Sequence, residues 1–125
     1  VPEVLIVDDD PDVRGLLAFT FLDHGFAVRE AKDGVDALDE LEARAPDCMV
    51  LDLMMPRLDG FEVLAAMRER RLAPDMRTIV FTCKSEERTL VRVWELGADD
   101  YLTKPADPDV IAQKVIALLE AGNPL

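Results

Sequence analysis

An α/β fold built on a parallel five-stranded sheet is predicted for this chain on three observations. Short apolar runs alternate five times with longer stretches of helical periodicity, the pattern of consecutive βαβ units. The 125 residues, half of them hydrophobic, suit one buried core, so residues 1–125 are read as one domain. Polar residues capable of chemistry fall directly after the apolar runs, at what would be the carboxyl edge of such a sheet.

The elements follow in order. Val4 to Val7 forms the first strand and runs into Asp8-Asp9. Asp10-Pro11 then supplies an N-cap carboxylate before a proline at the first helical position, where no N–H is missed. Gly25 stops that helix after His24, the chain's one histidine, which is expected to interact with the helix dipole from the last turn. The second strand reads as Ala27 to Arg29, and its helix must end before Pro46. Cys48 to Leu51 is the third strand and leads straight into Asp52. Asp59 and Glu62 have capping-box spacing, which starts the third helix near Gly60. Thr78 to Phe81 is the fourth strand, followed by Thr82, and its helix stops at Gly97. Within that helix, Trp94 has Leu90 at i−4, a spacing that predicts a core-facing ring. Tyr101 to Thr103 is the fifth strand, Lys104 follows it, and Asp107-Pro108 opens the last helix. The tail Gly122-Asn123-Pro124-Leu125 reads as a turn.

Composition narrows the function. Twenty-six acidic residues against 14 basic give a formal charge of −12, which repels a phosphate backbone, so direct nucleic-acid binding is not expected. No apolar run approaches the roughly 18 residues of a membrane span, and the N-terminus lacks the basic-then-apolar order of a signal peptide, so a soluble cytoplasmic protein is expected. Cys48 and Cys83 lie in separate apolar runs and read as free thiols.

Taken singly, the edge residues have plain explanations. Asp8-Asp9-Asp10 could be a solvated turn, Thr82 a strand threonine, and Lys104-Pro105 a bend. Asp52 is different, because it sits between Cys-Met-Val-Leu and Leu-Met-Met-Pro, where an unpaired carboxylate is costly. Together the residues make chemical sense. Clustered carboxylates repel one another unless a divalent cation neutralises them, and an oxygen-only set suits Mg²⁺, which commonly bridges to phosphate. Beside that metal, Asp52 could attack phosphorus in line and become an acyl phosphate, while Thr82 and Lys104 each bind a phosphoryl oxygen.

VLIVDDDP, MVLDLMMPRLDG, IVFT and GADDYLTKP, in that order and spacing, closely resemble the receiver domains of two-component response regulators, over about residues 3 to 120. The resemblance implies a flavodoxin-like (βα)5 three-layer sandwich with strand order 2-1-3-4-5. It implies phosphorelay signalling, with Asp52 accepting a phosphoryl group from a sensor histidine kinase or a phosphotransfer protein. By the same likeness Asp9, Asp52 and the Met54 backbone carbonyl bind Mg²⁺, with Mn²⁺ as a substitute, and Asp8 acts through water. Thr82 and Tyr101 match the family's switch pair, and the bond before Pro105 is expected to be cis, aiming Lys104 into the crevice. The face of helix four, strand five and helix five is expected to control an output domain in cis or a partner in trans, with a phosphorylation-dependent dimer as one form of output. The domain is expected to promote its own phosphorylation and slow dephosphorylation without turning over external substrates.

Several positions depart from the family pattern. Cys83 stands where alanine is usual and Ala106 where phenylalanine often follows Lys-Pro. Met54 and Lys84 match sites that tune the lifetime of the acyl phosphate. Asp100 and Lys114 fit an ion-paired dimer, but Val110 replaces its usual acidic partner. A phosphatase of the haloacid dehalogenase type would need a second aspartate at Met54 as general acid and base. An unphosphorylated docking module would be expected to lose the aspartates or the lysine. Neither GxGxxG nor GxxxxGK[ST] occurs, which disfavours nucleotide binding.

Overall fold

The structure is a computed structural model that describes residues 1–121. Strands and helices alternate throughout: β1 (Glu3–Val7), α1 (Pro11–Asp23), β2 (Ala27–Ala31), α2 (Gly34–Ala43), β3 (Cys48–Leu51), α3 (Gly60–Arg70), β4 (Arg77–Thr82), α4 (Glu87–Glu95), β5 (Asp100–Thr103) and α5 (Pro108–Ala121). All neighbouring strands are parallel and the order is β2-β1-β3-β4-β5, as expected.

Val4–Val7 of β1 and Cys48–Leu51 of β3 are buried along their whole length, because the sheet has helices on both faces. Side chains alternate between two apolar layers. Leu5, Val7, Met49, Leu51 and Val80 pack against Leu38, Leu41, Val63, Leu64 and Val93 of α2, α3 and α4. Val4, Ile6, Val50, Ile79 and Phe81 face Leu17, Phe21, Ile111 and Val115 of α1 and α5. Truncating one of these fully buried side chains to alanine would cost about 2–5 kcal/mol.

The caps form as the sequence predicts. The Asp10 carboxylate accepts from the Asp12 N–H ahead of Pro11, and Asp59 and Glu62 complete both bonds of the capping box. Gly25 and Gly97 adopt φ of 87° and 97° just past α1 and α4, the left-handed conformation that ends a helix at little cost for glycine. His24 caps α1 and also brings Nε2 to 3.1 Å from Asp109 Oδ1 in the first turn of α5.

Two expectations are corrected. β2 continues past Arg29 to Ala31, because Ile6 and Val7 pair with Glu30 and Ala31 along an edge whose polar residues the hydrophobic pattern does not mark. Trp94 is not core-facing: it is 46% exposed, while Thr89 and Val93 form the buried line of α4. One residue along a helix turns the side chain by roughly 100°, so burying Val93 swings Trp94 outward. The turn expected at Gly122–Leu125 lies outside the described residues.

Candidate functional site

β1 and β3 are adjacent, so their carboxyl ends bring Asp8, Asp9 and Asp52 together. The Asp52 N–H donates to the Val7 carbonyl at 3.0 Å and the Asp8 N–H to the Ala31 carbonyl at 3.2 Å, which carries the ladder up to the acidic residues and fixes their backbones. Asp8 and Asp52 are 2% and 5% exposed, whereas Asp9 is open to solvent. One oxygen from each of the three carboxylates lies within 4.8 Å of the others.

Lys104, just beyond β5, reaches back across the sheet. Its Nζ donates to Asp8 Oδ2 at 2.7 Å and Asp52 Oδ2 at 3.3 Å, and it lies 5.5 Å from the centre of the Phe81 ring. The Lys104–Pro105 peptide is cis, as the resemblance implies. Asp8 Oδ1 accepts from the Asp10 N–H at 2.9 Å, Asp52 Oδ1 from the Met54 N–H at 3.2 Å, and Arg14 donates to the Asp8 carbonyl at 2.8 Å. The acidic loop is thereby held in place by Arg14 of α1, by Lys104 just past β5 and by N–H groups of the loops themselves.

The charges are finely set. Burial pushes the Asp52 carboxyl above the ordinary aspartate range; the Met54 N–H and the Lys104 ammonium oppose that rise, and the Asp8 charge adds to it. Burial works against the charge of Lys104, but its bonds to Asp8 and Asp52 prevail and hold it above the usual lysine value. One ammonium against three carboxylates leaves an excess of negative charge that a divalent cation would match. The donors are all hard carboxylate oxygens, which suits Mg²⁺.

Thr82 ends β4 with no exposure, and its Oγ1 accepts a long 3.5 Å bond from the Lys84 N–H. The half-buried Tyr101 on β5 donates its hydroxyl to the Lys84 carbonyl. The expected switch pair therefore meets at one short loop after β4. Cys83 in that loop is exposed, while burial and the nearby Asp47 charge push the Cys48 thiol up to about 12.

Gly60 is a site-building residue whose role sequence reading missed. Its N–H donates to the Leu53 carbonyl at 3.0 Å, and a Cβ there would stand 2.5 Å from the Asp52 carbonyl oxygen. The start of α3 is thus pressed directly under Asp52. The capping box gives away the helix start, but no residue pattern announces the close approach. Phe81 beneath Lys104 was likewise legible only as a strand residue.

The sequence matches the response regulator receiver domain family over residues 4–116. The chain belongs to that family. It is 40% identical over 121 residues to the alkaline phosphatase synthesis transcriptional regulatory protein PhoP of Bacillus subtilis, covering 97% of this chain and 50% of that protein. It is equally similar to the response regulator MprA of Mycobacterium bovis, covering 97% of this chain and 52% of the other. This receiver domain thus spans about half the length of the curated relatives it matches. Among solved structures it resembles the receiver domain of the Francisella response regulator 1452, with a TM-score of 0.91 and 29% identity over 98% of this chain and 100% of that one. The BeF3-activated DrrB receiver domain aligns with a TM-score of 0.85 and 30% identity over 96% and 98% of the two chains. Receiver domains of two-component systems are signalling switches in phosphorelays, and this one is a member with the flavodoxin-like fold. No helix among its described residues is long and apolar enough to cross a membrane.

The resemblance also raised an ion-paired dimer through Asp100 and Lys114. In this receiver those two residues face each other within the chain, with Lys114 Nζ 3.5 Å from Asp100 Oδ2. Val110 on the same face is 43% exposed.

Proposed function

We propose that residues 1–125 form one cytoplasmic receiver domain in which Asp52 accepts a phosphoryl group from the phosphohistidine of a sensor histidine kinase or phosphotransfer protein. The observation that carries this reading is the grouping of three carboxylates within 4.8 Å, two of them buried and held by one ammonium. Asp9, Asp52 and the Met54 carbonyl would hold Mg²⁺, or Mn²⁺ in its place, with Asp8 acting through water. When bound, the cation would neutralise the acidic cluster and disperse charge on the transferring phosphoryl group.

The chain's own residues do the rest. An Asp52 carboxylate oxygen forms the bond to phosphorus as the P–N bond of phosphohistidine breaks, and the electron pair leaves on the imidazole nitrogen. Lys104 is already within reach of Asp52 and holds the incoming phosphoryl oxygens. Met54 carries no proton for a leaving group, so an external phosphate ester is not turned over, and the aspartyl phosphate persists as a signal. Thr82 would donate its hydroxyl to the phosphoryl group, drawing on the loop whose Lys84 carbonyl bears Tyr101. The face of α4, β5 and α5, where Val91, Trp94 and Val110 are exposed, would pass the change to an output domain in cis or a partner in trans, or to a second copy in a phosphorylation-dependent dimer. With its net charge of −12 the chain itself is not the nucleic-acid-binding element.

Incubation with Mg²⁺ and acetyl phosphate is expected to add one phosphoryl mass to the protein, and Asp52→Asn is expected to abolish that addition. Equal labelling of the Asn variant would overturn the assignment of Asp52.

A further inference from the structure

At the end of the sheet opposite Asp52, the C-terminus of α3, the segment leading to β4 and the end of α4 line a hollow of about 380 Å³ that is open to solvent on one side. Its walls are mostly apolar, with Leu64, Met67, Leu72, Met76 and Leu96 among them. Leu64 is 2% and Met76 9% exposed, so the floor is part of the core, while Leu72 and Leu96 at the margin are half-buried. A concave, chiefly apolar site of this volume with a few polar groups is the common form of a small-molecule pocket.

Two features single it out. Arg68 and Arg71 line the same cavity. Arg68 donates to the Glu95 carbonyl at the end of α4. Arg71 makes no side-chain hydrogen bond or ion pair with any described residue, although the protein carries 26 carboxylate side chains. An uncommitted guanidinium beside an apolar hollow is complementary to an anion attached to a hydrocarbon body. The wall is also conformationally unusual: Arg71 and Ala73 both adopt positive φ, 54° and 45°, and neither is glycine. Arg71 is the left-handed residue that ends α3, with the Leu72 N–H donating to the Met67 carbonyl at 2.9 Å. These two conformations place the end of α3 and the following turn around the hollow.

We propose that this cavity binds a small amphipathic carboxylate, its hydrocarbon part against Leu72, Met67 and Met76 and its carboxylate on the guanidinium of Arg71, with Arg68 as the second donor. The methionines suit a hydrocarbon occupant because their unbranched side chains adapt to its shape. The site lies at the far edge of the sheet from the acidic crevice and does not depend on the phosphoacceptor reading.

The test uses octanoate as the probe, with octanol as the same chain without charge and acetate as the charge without chain, followed by titration calorimetry and amide chemical shifts. Octanoate is expected to bind saturably in one-to-one ratio, shifting amides of residues 64–76 and 96–97, with octanol and acetate each weaker by roughly tenfold or more. Arg71→Gly removes the guanidinium and suits the positive φ, so it should keep the fold while weakening octanoate by roughly tenfold. Leu72→Trp, which fills the hollow, should abolish binding. Octanol binding as tightly as octanoate, unchanged affinity in Arg71→Gly, or amide shifts elsewhere on the surface would each overturn the proposal, as would the absence of saturable octanoate binding.

Discussion

Replacing Lys104 by methionine tests the electrostatics of the crevice directly. The substitution keeps an unbranched stem near the Phe81 ring and removes only the ammonium that lies 2.7 Å from Asp8 and 3.3 Å from Asp52. The side chains of these partners are 3% and 6% exposed, so water replaces the lost ammonium poorly. Breaking a buried ion pair by deleting one partner costs about 3–5 kcal/mol, because the other charge stays buried without compensation. The deficit must depend on pH, and its sign follows from the direction of the shift. Burial already holds Asp52 above its unfolded value of 3.8, and loss of the ammonium raises it further. A group whose folded carboxyl is raised binds more protons in the native state, so stability falls as pH rises through that interval. The penalty is therefore full above the raised folded value and fades as pH drops toward 3.8. Urea unfolding followed by circular dichroism without Mg²⁺, at about pH 7.5 and then at successively lower pH toward 3.8, reads both the deficit and its decline. A deficit under about 1 kcal/mol at the higher pH, or one that does not shrink at the lower, would refute the claim that Lys104 compensates these two carboxylates.

Four further outcomes are expected. Asp9→Ala, at an exposed position, should weaken Mg²⁺ binding in a titration while leaving the unfolding midpoint in metal-free buffer within about 0.5 kcal/mol of the parent; identical Mg²⁺ titrations would count against the metal site. Gly60→Ala should destabilise by about 1–3 kcal/mol, since its Cβ would stand 2.5 Å from the Asp52 carbonyl oxygen, and a neutral result in denaturant unfolding would mean that the start of α3 has room to retreat. A thiol reagent should label Cys83 rapidly and Cys48 only after denaturation, because the Cys48 thiol is pushed up to about 12; two fast thiols in the native protein would contradict that burial. Tyr101→Phe should cost about 0.5–1.5 kcal/mol in thermal or urea unfolding through loss of the bond to the Lys84 carbonyl, and an unchanged midpoint would mean that this bond has no net worth.

What could be read in advance divides along a physical line. Strands β1 and β3 were legible because burial on both faces imposes continuous apolar runs, and helix starts because Asp10, Asp59 and Asp107 stand before proline or at capping-box spacing. The hydrophobic pattern marks only part of β2, because its pairing with β1 continues through Arg29 and Glu30 and backbone ladders leave no mark on side-chain polarity. Spacing to Leu90 misplaces Trp94 because it cannot tell which of two neighbouring stripes turns inward; that depends on Thr89 and Val93 meeting the core. Asp8, Asp9, Asp52, Thr82 and Lys104 were legible as a group because strand ends converge in any sheet of this order. The contact of Lys104 with Asp8 spans most of the chain, and only the folded sheet reveals that this pair is the shorter one.

The proposed switch rests on a contrast between tight and loose contacts around one residue. Lys104 is bound closely to the carboxylates, so in the proposed switch it would hold the product without having to travel. Thr82 is fully buried, yet the bond its hydroxyl oxygen receives from Lys84 is 3.5 Å long and therefore weak. Phosphorylation of Asp52 would present that hydroxyl, which already lies against the Asp52 carboxylate, with a phosphoryl oxygen as a charge-assisted partner. Tyr101 is fastened to the carbonyl of Lys84, the residue whose N–H meets Thr82. A shift of that loop therefore moves both ends of the pair together. In the proposed switch Asp52 and Tyr101 would be coupled through the Lys84 backbone, so shortening or lengthening the loop between Thr82 and Glu86 should uncouple Tyr101 from phosphorylation, read as loss of the phosphorylation-dependent amide shift of Tyr101.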